Sequence, residues 1–346
     1  IGSRKEDISA LFANCNRGKE SLRIDLKSEL GIQVIKDMMP SVDIVIHNFR
    51  PGVMDRIGLG SEALRALNPK LIYAAISGFG TTGPMRDAPA YDPIIQAHAG
   101  IAATQGQGDQ PAFMRTLLCD KITGYTACQA VTSALFMRER TGMGQHIDLS
   151  MIDSGLFFIF LDGFQNHTLL SDDHERAGML IDILYDPWVC SDGGVVISAG
   201  SYEMQKRFLT SIDMPHLLDD PRFATFENQM RHIQTLKALV AERCRELSCD
   251  DMVARLRAVD VPCAKVMTRE EVLAQAQLEA NGCVDVYDHP IAGKSRRILA
   301  PPMFGGERLQ PGTGAPGHGE HSQQVLESFG LSDTTIDELK AKAVVT

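Results

Sequence analysis

The sequence predicts an α/β protein: a Rossmann-like, doubly wound parallel sheet followed by a second, smaller α+β domain. Three observations predict it. Strand and helix patterns alternate over residues 21–77, the texture changes near residue 187, and 346 residues exceed the ~100–200 of an ordinary single domain.

Residues 21–26 alternate polar and apolar side chains as a half-buried strand does. Ser28 can then cap a helix whose apolar positions are Leu30, Val34, Ile35 and Met38, and Pro40 follows its end. Residues 42–49 read as the next strand. Ser61 opens a short helix to Leu67, Asn68-Pro69 breaks it, and residues 71–77 read as a buried strand. Residues 121–140 form a long helix with small residues on one side, ended by the turn Thr141-Gly-Met-Gly144. Residues 145–150 alternate as a further strand, and residues 151–164 read as a buried helix. Beyond them lie a hairpin at 188–198 around Asp192-Gly193-Gly194, amphipathic helices at 203–212, 226–247 and 250–258, and a last amphipathic segment at 322–342. The expected division is a large α/β domain at 1–165, a linker at 166–186, a small domain at 187–285, and a return linker with a C-terminal segment at 286–346 that packs on the large domain. The chain opens on Ile1 rather than Met, and a further N-terminal piece is expected to precede it.

Composition narrows the function classes. Net charge is −10 and the pI is about 5.5, so the protein as a whole repels nucleic acid and anionic membranes, and a polyanionic ligand must be held by a local basic cluster. Apolar runs such as residues 71–76 fall far short of the ~18 residues of a membrane span. The eight cysteines contain no Cys-x-x-Cys pair, which favours reduced thiols in a cytosol-like compartment and a cytoplasmic protein.

Motif by motif, the chemistry is less direct. Gly78-Phe-Gly80-Thr-Thr-Gly83 has the G-x-G-x-x-G spacing, but Pro84 follows at once, so a glycine-rich loop shaping a ligand cleft is the better reading. His318-Gly-Glu-His321 lacks a third ligand nearby, no H-E-x-x-H or cysteine cluster exists, and no metal is expected. No G-x-S-x-G elbow is present. Asp153 follows a strand and sits in the first turn of an apolar helix, where the dipole favours negative charge and where α/β sheets bind ligands. From position alone it reads equally as a helix-capping residue, as does Asp120. His98 reads as a structural histidine.

Taken in order, Asn16-Arg-Gly-Lys19, Asn48-Phe-Arg-Pro-Gly52, Asp55-Arg56, Ile76-Ser-Gly-Phe-Gly80, Tyr91-Asp92, Thr141-Gly-Met-Gly-Gln145, Met151-Ile-Asp-Ser154, Asp220-Pro-Arg-Phe223, Val261-Pro-Cys263 and Gly319-Glu-His321 make the chain resemble the class III CoA-transferases, the family of formyl-CoA transferase, carnitine CoA-transferase and α-methylacyl-CoA racemase. The resemblance implies that Asp153 is the nucleophile, attacking an acyl-CoA thioester to give an aspartyl anhydride and then an aspartyl-CoA thioester. It implies that CoA, as cosubstrate, meets Lys19 and Arg56 at its phosphates, Asn48 and Phe49 at its adenosine and ribose, and Tyr91, Asp92 and Asp120 near the thioester. It also implies an interlocked homodimer, with small acyl-CoA and carboxylate substrates as partners. Racemase members carry His where this chain has Tyr91, so transfer is favoured over α-proton exchange, with a racemase or a silent CoA-binding protein as the alternatives. The glycine-rich flap of formyl-CoA transferase has no counterpart in the glycine-free residues 180–188, which argues against oxalate as acceptor.

Overall fold

The computed structural model describes residues 2–106, 110–171, 173–174, 185–310 and 312–346. Most of the expected linker, and residues 180–184 where the flap was sought, lie outside the described residues. The chain divides into two compact units, Ile1–His174 with Tyr287–Ser295 and Gln310–Thr346, and Glu175–Val286 with Arg296–Leu309.

The first unit is a mixed α/β structure around a parallel sheet. Strands β1 (Ile44–His47), β2 (Ile72–Ser77) and β3 (His146–Ser150) lie in that order, Ile44 opposite Ile72 and Tyr73 opposite His146. Helix α1 (Glu29–Met38) precedes β1 and α2 (Ser61–Leu67) joins β1 to β2. Between β2 and β3 run α3 (Asp92–His98) and the 24-residue α4 (Leu118–Thr141), and α5 (Met151–Gly163) leaves directly from the end of β3. Such strand–helix alternation is what parallel pairing requires, because the chain must return to the same end before each new strand.

Val34 and Met38 of α1, Leu64 of α2 and Tyr73 of β2 share one core with Leu326, Ile336 and Leu339 from the C-terminal helices Ser322–Ser328 and Asp333–Ala341. The expected single segment at 322–342 is therefore two helices. Ser332 starts the second, its Oγ accepting the Thr335 N–H at 3.2 Å. The expected strand at 21–26 does not form either. Leu22, Ile24 and Leu26 do pack on this core, which explains their alternation, but the only ladder partner for that backbone among the described residues is Val345, in an isolated antiparallel bridge with Ile24. Leu30, expected in the core, is exposed. Helix α5 also departs from expectation: it buries Ser154 and Gly155 but exposes Phe157, Phe158 and Leu161.

The second unit has an antiparallel sheet of β4 (Trp188–Cys190), β5 (Gly193–Ile197) and β6 (Cys263–Lys265), with Val195 opposite both Trp188 and Lys265. Helices α6 (Tyr202–Ser211), α7 (Ile233–Cys244) and α8 (Cys249–Ala258) supply Phe208, Leu209, Val240, Met252 and Leu256 to its core beside Phe223. Among the described residues no helix is long and apolar enough to cross a membrane.

Candidate active site

Because β1, β2 and β3 are parallel, their carboxyl ends, His47, Ser77 and Ser150, point to the same edge of the sheet. The loops that leave them must converge there, which is where open α/β sheets hold ligands. A cavity of about 570 Å³ opens at that edge. Its walls are residues 46–51 at and after the end of β1, residues 76–78, 86 and 88–91 at and after the end of β2, Met151 after β3, and Asp120, Thr123 and Gly124 from the first turns of α4. Gly78 holds two of these walls together. Its carbonyl accepts the Ile152 N–H at 3.1 Å, and a Cβ in its place would stand 2.2 Å from the Ala90 Cβ.

Asp153 lies in the first turn of α5, two residues beyond the cavity-lining Met151, and is exposed. The helix cap is Ser150 and not Asp153: the Ser150 Oγ accepts the Asp153 N–H at 3.1 Å, satisfying one of the unpaired donors of the first turn. The same hydroxyl donates to Asp153 Oδ2, so one carboxylate oxygen is held.

Asp92, expected in the cleft wall, is instead buried beneath it, with 3 % of its surface exposed. Its Oδ1 accepts the Gln96 amide at 2.6 Å, and its Oδ2 accepts the Asp120 N–H at 3.1 Å. Leu117, the residue before α4, has no side chain that can cap it, and Asp92 reaches over from α3 to do that work. Asp120, by contrast, lines the cavity. Partial burial, then the neighbouring charge of Asp92, pushes its carboxyl above the usual carboxylate range. Cys119 beside it is fully buried, and burial followed by the charges of Asp92 and Asp120 pushes its thiol to about 12, which removes it as a nucleophile.

Of the remaining expected residues, Asn48, Phe49 and Tyr91 line the cavity, whereas Lys19 and Arg56 are not among its walls. Lys19 Nζ donates to Asn16 Oδ1 at 3.0 Å. Among the cavity residues that the sequence reading did not assign to a site are three titratable ones, Arg50, Arg86 and His47. Arg50 stands inside the quoted Asn-Phe-Arg-Pro-Gly motif, but nothing in the polar stretch 85–89 marks Arg86. The His47 Nδ1 accepts the Phe49 N–H at 3.3 Å while its ring meets Tyr73 edge-on at 5.2 Å. Burial, then His146, pulls His47 below its ordinary 6.5, with Asp55 and Asp148 opposing.

Comparison with known proteins settles the family. A profile of CoA-transferase family III matches residues 1–322. The chain belongs to that family. It is 32% identical over 343 residues to an acyl-CoA transferase of Fusarium pseudograminearum, covering 98% of this chain and 75% of that one. It is 39% identical over 241 residues to an acetyl-CoA:oxalate CoA-transferase of Acetobacter aceti, covering 67% of this chain and 60% of that protein. The crystal structure of a CAIB/BAIF family protein from Brucella suis superposes with a TM-score of 0.81 at 31% identity, covering 93% and 84% of the two chains. One family motif is structural in this chain: in Asp220-Pro-Arg-Phe223 the Arg222 backbone and guanidinium both bond the Asp220 carboxylate, which is drawn down to about 2.

Proposed function

We propose that this class III CoA-transferase moves CoA from an acyl-CoA to a small carboxylic acid, with Asp153 as the covalent nucleophile. The observation that carries the reading is the position of Asp153: at the carboxyl end of β3, on the first turn of α5, with one oxygen held by Ser150 and the cavity wall two residues away. The Asp153 carboxylate attacks the thioester carbonyl, the C–S bond breaks and CoA leaves as its thiolate. The thiolate then attacks the aspartyl carbonyl, the donor acid departs and an aspartyl-CoA thioester remains. The acceptor carboxylate attacks that carbonyl, CoA thiolate leaves again, and its attack on the acceptor's acyl carbon releases the new thioester and frees Asp153. Each step exchanges one acyl bond for another, the logic of covalent catalysis.

In this reading Asn48 and Phe49 meet the adenosine and ribose, Lys19 and Arg56 the phosphates, and Tyr91 and Asp120 the thioester end, while Asp92 holds the turn that carries Asp120. The apolar side chains left exposed on α4 and α5, Tyr125, Phe157 and Leu161 at 72%, 75% and 76%, support a homodimer, interlocked as the resemblance implies. The acceptor is a small carboxylate.

The test is Asp153→Ala and Asp153→Asn in the full chain. Transfer should vanish with the fold intact. Wild-type protein given acyl-CoA without acceptor should yield a hydroxamate with hydroxylamine on the peptide bearing Asp153. Transfer near the wild-type rate in Asp153→Ala sinks the assignment. Deuterium entering the acyl α-carbon, with no CoA exchange, moves the chemistry to Asp120 and a racemase.

A further inference from the structure

Two arginines from different loops converge over a single glycine. Gly52 follows β1 with φ +77°, a left-handed conformation that favours glycine, and begins the short helix Val53–Arg56. A Cβ placed there would stand 3.4 Å from Arg56 Nη1 and 3.9 Å from Arg86 Nη2. One nitrogen of each guanidinium therefore lies within 3.9 Å of the same position beside Gly52, one from the loop after β1 and one from the loop after β2, and a methyl group on residue 52 would touch both. Arg86 and Arg50 also line the cavity at this end.

Neither converging arginine is neutralised in the way a structural one would be. Among the described residues the one ion pair of Arg86 is with Asp87, at 4.0 Å, with Arg86 half exposed and Asp87 largely in solvent. Among the described residues no carboxylate forms an ion pair with Arg56. Like charges brought together without a counter-charge raise each other's electrostatic energy, and an oxyanion set between two guanidinium forks relieves it with short, charge-assisted hydrogen bonds. The protein's net charge of −10 makes a local pair of this kind the more needed for a phosphate ligand.

We propose that Arg86 and Arg56 clamp a phosphate of the nucleotide half of the CoA thioester, with Gly52 keeping the space between them open. The proposal rests on the reading of the cavity as the CoA site and adds Arg86 to it. CoA offers this chemistry twice, in its pyrophosphate and in its 3′-phosphate, and the substrate series below separates the two.

Arg86→Ala and Arg86→Lys are assayed with a CoA thioester, its 3′-dephospho analogue and the corresponding pantetheine thioester, which has no nucleotide. With the CoA thioester, Arg86→Ala should raise KM by about tenfold or more at low salt, as expected for a lost hydrogen bond to a charged group. The factor should shrink at high ionic strength. The pantetheine thioester, with no phosphate at the clamp, should lose far less. Arg86→Lys should recover part of the loss, keeping the charge but not the two-pronged fork. A loss that disappears with the dephospho analogue assigns the clamp to the 3′-phosphate, and one that persists assigns it to the pyrophosphate. An equal loss on the pantetheine thioester, or no loss on the CoA thioester, overturns the clamp. Calorimetric titration with CoA separates the two levels: a wild type that binds no CoA fails the reading of the cavity, whereas CoA bound equally by wild type and Arg86→Ala fails the clamp alone.

Discussion

Gly78→Ala tests whether the cavity walls are as tightly set as their geometry implies. The added Cβ would lie 2.2 Å from the Ala90 Cβ, against the ~3.5–4.0 Å at which two carbons rest, so something must retreat by more than about 1 Å. Two movements can relieve it. Residues 88–91 can withdraw, taking with them the cavity wall, Tyr91 and the start of the helix that holds Asp92. Alternatively residue 78 can shift, and then its carbonyl drags the Ile152 N–H and the first turn that carries Asp153. On the proposed mechanism, either movement displaces the site by a distance that costs about 10²-fold in rate. The overpacking itself costs about 1–3 kcal/mol, each kcal/mol lowering Tm by about 2–4 °C for a unit of this size. The assay is kcat/KM for CoA transfer together with thermal unfolding. The decisive companion is the double variant Gly78→Ala/Ala90→Gly. It removes the clashing Cβ and leaves Ala90 Cα, 3.6 Å away, as the nearest atom, an ordinary contact. Most of the rate should return. Wild-type activity in the single variant, or a double variant no better than the single, refutes the reasoning.

Two further predictions concern titratable groups. In the native protein at mildly alkaline pH, a thiol reagent should label the exposed Cys15 and Cys128 quickly, while Cys119 and Cys244, both buried and pushed to about 12, stay silent until denaturant is added. Rapid labelling of Cys119 in folded protein would contradict this. For His47 the folded value lies below the ordinary 6.5, so in the window beneath 6.5 the unfolded chain binds more protons and stability falls as pH falls. His47→Asn should lose that part of the slope, and urea midpoints measured from about pH 5 to about pH 7.5 would show the gap between wild type and variant closing toward acid. A gap that stays constant would mean that His47 does not titrate as described.

What the sequence made legible is what repeats locally. The strands at 44–47, 72–77 and 146–150 showed as apolar or alternating runs between helix starts, and parallel order then fixed where their loops had to meet. Asn48, Phe49, Tyr91 and Asp120, flagged by motif, do line one cavity. Features set by partners distant in sequence stayed hidden. The alternation at 21–26 correctly marked side chains that face the core, but a strand also needs a neighbouring backbone, and Val345 offers one bridge. The apolar run of α5 read as burial because periodicity does not say what covers a face. Arg86 carried no signal, since its meaning lies in its approach to Arg56 across the Gly52 turn.

The sharpest case is the pair of carboxylates, Asp153 and Asp120, which the sequence presented as equivalent: each stands in the first turn of a helix. Their surroundings separate them. At Asp153 the Ser150 hydroxyl donates to one carboxylate oxygen, and the residue is exposed. At Asp120 the nearest acidic group is the buried Asp92, which uses its own oxygens on the Gln96 amide and the Asp120 N–H and presses on Asp120 with its charge. A carboxyl raised in this way keeps its proton to higher pH, so a smaller share of it is ionised and able to attack. On the proposed mechanism the covalent work therefore falls to Asp153, and Asp120 is left to hold or return a proton at the thioester end.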